Sequence, residues 1–183
     1  TTIGFITGVL VSESYIMRRS MLPWIIFVYT VPAAIIAPLF LVWFGINLFA
    51  VALFVSLLSF YPVFISTLTG FQSVSEEYYH LGEISDASRW QITRHIKLWE
   101  ALPHTLSGVK VGVQQSVVGA ILAEFIASNT VLGFLIITSY DSLNIGLTFG
   151  TVFILMAFAI VYFAIVTSLL DFLKPVPDRL TTN

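Results

Sequence analysis

Long apolar runs separated by short polar joints form the pattern of this chain. A helix needs roughly 20 apolar residues to cross the hydrocarbon core of a bilayer, and most of the runs reach that length. The pattern therefore predicts an all-α integral membrane protein with about five transmembrane helices. The apolar segments cover residues 1–17, 21–44, 48–71, 104–127 and 144–171.

Two of these segments are imperfect spans. The first is short and carries Glu13. The second contains Pro32 and Pro38, which remove backbone donors and tend to kink a helix. We therefore expect residues 21–31 to lie along the membrane interface before the chain enters the bilayer.

The composition agrees with a membrane protein. The 183 residues are 57% hydrophobic and 10% charged, with mean hydropathy +0.94, whereas soluble proteins average about 25% charged residues. The chain has no cysteine, which excludes a disulfide framework and a thiolate nucleophile or metal site. We expect one transmembrane domain over residues 1–183. Its apolar start without an initiator Met predicts that an N-terminal helix is missing.

Half of the charged side chains lie in one stretch, residues 73–110. This stretch holds nine of the eighteen charges and all three histidines. Residues 20–75 and 142–170, by contrast, contain no Asp, Glu, Lys or Arg. Such a stretch must lie in water. The part of it before the fourth apolar segment, residues 73–103, is named the polar loop.

The basic residues predict how the chain is oriented, because positive residues concentrate in cytoplasmic loops. Seven of the eight follow the first, third and fifth segments, which all end on the same side of the membrane, and Lys110 lies in the end of the fourth segment on that side. The loops on the opposite side carry only Asp141. We therefore expect a multi-pass protein of the cell inner membrane, with the polar loop and C-terminus in the cytoplasm and Thr1 outside. The basic residues are Arg18, Arg19, Arg89, Arg94, Lys97, Lys110, Lys174 and Arg179.

Local signals predict two short helices in the polar loop. Ser73 and Glu76 have the spacing of a capping box, which predicts a helix over about residues 74–84. Asp86 is expected to cap a second helix over about residues 87–98.

The second of these helices is predicted to be amphipathic. Ile92, Ile96 and Trp99 recur at helical spacing on one face, with Arg94 and Lys97 towards another. Such a helix can dock on a partner or simply lie on the bilayer surface. Nucleic-acid binding is not expected, because the acidic residues of the loop match the basic ones.

Several short motifs in and around the loop resemble the signature of ABC importer permeases, known as the EAA loop. The closest resemblance is to the nitrate, sulfonate and taurine group of that family, and it covers about residues 4–174. The motifs inside and after the loop are Ala87-Ser-Arg-Trp-Gln, Ile96-Lys-Leu, Ala101-Leu-Pro, Gly108 and Ala123-Glu-Phe. Others at matching places are Val31-Pro, Ala37-Pro-Leu, Trp43-Phe-Gly and Leu132-Gly-Phe-Leu.

The resemblance implies a type I importer permease core with a helix-turn-helix coupling loop that docks on a separate ATP-binding subunit. It also implies a second permease copy, as a homodimer or heterodimer, and an extracytoplasmic substrate-binding protein, all at a lipid bilayer. The substrate is expected to be a small anion such as nitrate, sulfonate or taurine, or a vitamin precursor. The residues expected to couple to the ATPase are His80, Gly82, Glu83, Asp86, Ala87, Ser88, Arg89 and Trp90.

The chain departs from the family pattern in three places, the first of which is His80-Leu-Gly where the pattern begins with Glu-Ala-Ala. Asp86 stands where a turn glycine is expected, and Trp99 stands where a proline is expected. Asp tolerates a left-handed backbone better than most residues do, so the turn is expected to survive.

Three residues of the fourth segment are candidates for a pathway or gate. Glu124 is the segment's only acid, and an intramembrane ionisable group is a functional hypothesis by default. A structural hydrogen bond is the competing explanation. Gly112 and Gly119 line a side of the same segment, where helix packing is the default role for glycine.

The sequence does not predict an enzyme. It contains no Gly-x-x-x-x-Gly-Lys phosphate loop, so ATP hydrolysis is expected on a partner chain, and no cofactor or metal is expected. One alternative is an ion-gradient-driven secondary transporter or channel subunit, which predicts several buried charges and inverted repeats. A non-transporting scaffold with a lipid-binding loop is another.

Overall fold

The computed structural model describes residues 1–74, 88–127 and 131–172, and the regular secondary structure of these residues is all helical. This confirms the all-α prediction. The helix Arg89–Ile92 continues through a π turn, Thr93–Lys97, into the helix Leu98–Ala127. The helices are α1 (Thr2–Glu13), α2 (Tyr15–Thr30), α3 (Ala33–Phe44), α4 (Leu48–Gln72), α5 (Arg89–Ile92), α6 (Leu98–Ala127), α7 (Val131–Asp141) and α8 (Ile145–Phe172).

Three helical stretches of the described chain are long and apolar enough to cross a membrane: Leu48–Gln72, Thr93–Ala123 and Ile145–Phe172. A fourth span results if the bent pair α2 and α3 counts as one. Two shorter apolar helices, Thr2–Glu13 and Leu132–Asp141, complete the set. The prediction of about five spans is thus approximate.

The first apolar segment ends earlier than predicted. Helix α1 stops at Glu13, and Ser14 takes an extended conformation (φ −123°, ψ 114°). The Ser14 hydroxyl accepts a hydrogen bond from the Met17 amide at 3.3 Å and so caps α2. A continuous segment over residues 1–17 is therefore wrong, because a serine cap starts the next helix inside it.

The second segment is two helices rather than one kinked span. α2 and α3 meet at a bend of 94°. Val31 is extended (φ −68°, ψ 126°), as expected for a residue that precedes proline, and Pro32 begins the new direction. Pro38 is the sixth of the twelve residues of α3, and the helix continues through it to Phe44. Of the two prolines predicted to kink the span, Pro32 breaks it and Pro38 does not.

A tight turn joins α3 to α4. Gly45 has φ 77°, which favours glycine, and the Asn47 side chain accepts a hydrogen bond from the Ala50 amide at 2.9 Å. These local signals explain why the start of α4 was predictable.

Helix α4 is the centre of the fold, and glycines bring its neighbours close. Gly4 and Gly8 of α1 contact one side of α4, where a Cβ on Gly4 would lie 2.8 Å from the Phe60 carbonyl oxygen. Gly108 of α6 contacts another side, and its Cβ would lie 2.7 Å from the carbonyl oxygen of Pro62. Small residues four apart allow such close backbone approach in membrane helices.

Helix α8 stands apart from this core. Thr151 is its only buried residue, and its large apolar side chains are mostly exposed. Its far end is joined to α6 by an ion pair between Lys110 Nζ and Asp171 Oδ1, 2.6 Å apart. An exposed apolar helix of this length suits contact with lipid or with another membrane chain.

Candidate functional site

The second predicted loop helix begins at a reciprocal cap. The Ser88 amide donates to Gln91 Oε1 at 2.8 Å, and the Gln91 amide donates to the Ser88 hydroxyl at 3.3 Å. This is a capping box, with Gln in place of Glu. The helix therefore starts at Arg89 rather than at residue 87, and Ser88 is its cap. Asp86, the predicted cap, lies outside the described residues.

This helix does not end at residue 98, and no separate span begins at residue 104. Residues 89–127 are helical without a break, through α5, the π turn and α6, and they are named the rod. Pro103 lies inside α6. The π turn ends at Lys97, six residues before this proline, and the helix continues through Pro103 to Ala127. The polar loop and the fourth apolar segment thus share one helix.

The π turn also changes which side chains are buried. The Leu98 amide bonds to the Thr93 carbonyl, an i to i+5 bond that widens the turn. Lys97 is 6% exposed, whereas Trp99 is 59% exposed. The predicted apolar face of Ile92, Ile96 and Trp99 is therefore wrong at Trp99. The predicted polar position of Lys97 is buried.

Buried Lys97 forms an ion pair with Glu13, at the end of α1. Lys97 Nζ lies 2.8 Å from Glu13 Oε1, and the Thr93 hydroxyl donates to the same oxygen at 3.2 Å. The lysine side chain is 7% exposed and the glutamate side chain 36%. These three residues are named the α1 clamp. Sequence reasoning had assigned no role to Glu13, and no local signal pairs two residues 84 positions apart.

Five of the eight predicted coupling residues are not among the described residues. His80, Gly82, Glu83, Asp86 and Ala87 lie outside the described residues. Of the others, Ser88 is the cap described above. Arg89 and Trp90 are the first two residues of α5, and the described structure covers only their backbone.

The three predicted gate residues lie on α6. Gly112 and Gly119 are buried against α4, where a Cβ would lie 3.1 Å from the Ser59 carbonyl oxygen and 2.9 Å from Leu58 Cδ1, respectively. The Ser59 hydroxyl also donates to the Gly112 carbonyl at 3.0 Å. Both glycines therefore serve helix packing, and a pathway role for them stays a prediction. Glu124 belongs to the α6 helix, and its side chain is outside the description.

A cavity of about 420 Å³ lies where the α2–α3 bend meets the middle of α4 and α6. The rings of Tyr29 and Tyr61 stack there, with centroids 3.7 Å apart and planes 11° from parallel. Gln115 Nε2 donates to the Tyr29 hydroxyl at 3.3 Å. No charged residue is among the described residues that line the cavity. The signal that could have found it is the polar Gln115 within an apolar segment. This space is named the elbow cavity, and the residues that line it include Trp24, Tyr29, Val31, Pro32, Tyr61 and Gln115.

Comparison with known proteins gives matches over most of the chain. The family model described as binding-protein-dependent transport system inner membrane component matches residues 1–178. A riboflavin transport system permease protein of Chloroflexus aurantiacus is 32% identical over 120 residues, 66% of this chain and 45% of the relative.

Two further relatives show the same breadth of match. A formylaminopyrimidine transport permease protein of Halalkalibacterium halodurans is 27% identical over 176 residues, 94% of this chain and 69% of the relative. A taurine transport system permease protein of Escherichia coli is 32% identical over 133 residues, 73% of this chain and 48% of the relative. The chain thus spans about half to two thirds of the length of the curated relatives it matches.

Proposed function

Because this chain belongs to the family of binding-protein-dependent transport system inner membrane components, we propose that it is a membrane-spanning subunit of an ATP-driven importer. In this proposal the subunit forms part of the translocation pathway. A separate cytoplasmic ATP-binding subunit supplies the energy, and an extracytoplasmic binding protein delivers the substrate.

The observation that carries the proposal is the rod. Residues 89–127 form one uninterrupted helical stretch from the polar loop into a long apolar span. Along that span the rod packs closely on α4, through Gly108 and Gly112. A push on the loop by an ATP-binding subunit would therefore reach the middle of the membrane through a stiff helix. Energetic coupling between distant sites is carried by packed, rigid elements of this kind.

The α1 clamp gives the rod a fixed point. Glu13 holds Lys97 and Thr93 at the π turn, between the predicted docking region and the span. A displacement of the loop would then act on α1 and α6 together. In this account Glu13 and Lys97 are positioning residues, and the docking surface is residues 80–90.

Three features support a larger assembly at the inner membrane. The exposed apolar face of α8 suits lipid or a second permease copy, as a homodimer or heterodimer. The basic residues lie at one set of segment ends, which supports a cytoplasmic polar loop and C-terminus. Relatives are named for riboflavin, formylaminopyrimidine and taurine, so the cargo proposed for this chain is a small anion or a vitamin precursor.

Assembly with an ATP-binding protein tests the proposal. The permease is affinity-tagged and co-expressed with the ATP-binding subunit encoded beside it, and the ratio of the two chains is measured after purification. We expect a stable complex in the wild type and its loss in Ala87→Glu, which adds charge and bulk to the predicted docking surface. Ser142→Glu, at an exposed position in the turn before α8, is the matched control and should keep the complex. A wild-type permease that purifies without any ATP-binding subunit would contradict the proposal.

A further inference from the structure

We propose that the elbow cavity binds an uncharged, planar aromatic heterocycle on its way through the membrane. The inference rests on the proposed transport function, because it names the class of cargo. The volume of about 420 Å³ is within the range of roughly 300–1,000 Å³ that is typical of small-molecule sites.

The depth of the cavity supports a cargo site. Tyr61 lies near the middle of α4 (Leu48–Gln72), and Gln115 lies near the middle of α6 (Leu98–Ala127). Both positions are therefore near the midplane of the bilayer, whichever way the chain is oriented. Polar side chains at that depth are costly and tend to mark substrate paths. The cavity also lies at a broken helix, the α2–α3 bend, and transporters often bind substrates where a membrane helix is discontinuous.

The stacked tyrosines select the shape of the ligand. Tyr29 and Tyr61 lie almost parallel, and Trp24 also lines the cavity. Aromatic rings attract other flat rings in offset-stacked or edge-to-face arrangements. Gln115 and the Tyr29 hydroxyl supply a donor and acceptor pair at one side of the cavity. A ring that carries nitrogen and carbonyl groups would match both the stacking surface and this polar pair.

The absence of charge in the described lining selects against small anions. Moving an anion away from water into an apolar site is costly unless a cation pairs with it. The described lining offers hydroxyl and amide groups instead. Of the two cargo classes proposed above, a neutral heterocycle therefore fits this cavity better than nitrate, sulfonate or taurine.

Lumiflavin is a suitable probe because it is an uncharged heterocycle whose fluorescence falls when its ring stacks on an electron-rich aromatic side chain. The full-length permease is placed in lipid nanodiscs and lumiflavin fluorescence is titrated, with protein-free nanodiscs as the blank. We expect saturable quenching that excess nitrate or taurine does not reverse. Gln115→Leu should raise the Kd for lumiflavin by about threefold to tenfold, because it removes a hydrogen-bonding group. Tyr29→Leu should raise the Kd by about tenfold, because it removes a stacking ring.

Matched controls separate the site from general effects on the protein. Gln114→Leu changes the neighbouring glutamine, which is exposed on the side of α6 towards α8, and Tyr140→Leu changes an exposed tyrosine of α7. Both should keep the wild-type Kd within about twofold. Equal Kd values in all variants, quenching no greater than in protein-free nanodiscs, or displacement by nitrate would each overturn the inference.

The titration uses the permease alone, so its result is independent of ATP-binding partners. ATP-driven transport without lumiflavin saturation overturns this inference and leaves the proposed function in place. Saturation in a permease that binds no ATP-binding subunit supports the site and overturns the importer.

Discussion

Lys97 Nζ lies 2.8 Å from Glu13 Oε1, and this ion pair joins the end of the first helix to the π turn of the rod. The lysine is buried, so its charge depends on hydrogen-bonding partners for stabilisation. The pair lies where the polar loop meets the membrane core. In the proposed function it would divide a movement of the loop between α1 and α6.

Removing either member of the pair should destabilise the protein, and the two effects should not add. We expect Glu13→Gln and Lys97→Met each to lower the apparent melting temperature in detergent, with a coupling energy of about 1–2 kcal/mol in the double-mutant cycle. Asp141→Asn, which neutralises an exposed acid of α7, serves as the control and should melt like the wild type. Strictly additive changes in melting temperature would contradict the pairing.

Glycine at position 108 should be required for the contact between α4 and α6. A Cβ there would meet Ser66 and the Pro62 carbonyl oxygen, and backbone cannot move aside cheaply. We expect Gly108→Ala to cost about 1–3 kcal/mol of stability, as overpacking does. Gly150→Ala is the matched control, because no heavy atom lies within 4 Å of its added Cβ. If both variants melt alike, the close approach of the two helices is wrong.

The bend at Pro32 can be measured directly, because the chain has no cysteine to compete with introduced spin labels. With a rise of 1.5 Å per residue, labels at Met21 and Val42 would be about 32 Å apart along a straight helix and about 22 Å apart across a right-angle bend. We expect the shorter distance by double electron–electron resonance. Labels at Leu48 and Thr69 of α4 have the same sequence spacing and should give the longer one. Equal distances for the two pairs would show that α2 and α3 form one straight span.

Orientation is open to a similar test with two conservative cysteine variants. Ser73→Cys and Ser142→Cys are both exposed, at the end of α4 and in the turn before α8. In intact spheroplasts, a membrane-impermeant maleimide should label Ser142→Cys and reach Ser73→Cys only after the membrane is opened. The reverse pattern would place the polar loop outside the cell and exclude docking on a cytoplasmic ATP-binding subunit.

Local sequence signals were enough to predict α4, α8 and the family. The predicted segments 48–71 and 144–171 differ from α4 and α8 by no more than one residue at each end. Asn47, which caps α4, and the runs of apolar residues determine where these helices begin and end. The resemblance to ABC importer permeases is confirmed by the family match over residues 1–178. These features depend on residues close together in the chain.

The features that sequence reasoning missed depend on contacts between distant residues. Glu13 meets Lys97 only because α1 and the rod both pack against α4, which brings the end of α1 to the π turn that holds Lys97. Tyr29 stacks on Tyr61 only because the chain bends between α2 and α3. Periodicity within one helix carries no information about either contact. The docking role of residues 80–90 stays a prediction.

The most direct test of the central claim is the energy source of transport. The permease is reconstituted into proteoliposomes with its ATP-binding subunit and binding protein, and uptake of a radiolabelled cargo of that binding protein is measured. The account predicts uptake that requires ATP hydrolysis, is absent with a proton or sodium gradient alone, and is lost in Ala87→Glu but kept in Ser142→Glu. Accumulation driven by an ion gradient in the absence of ATP would contradict it.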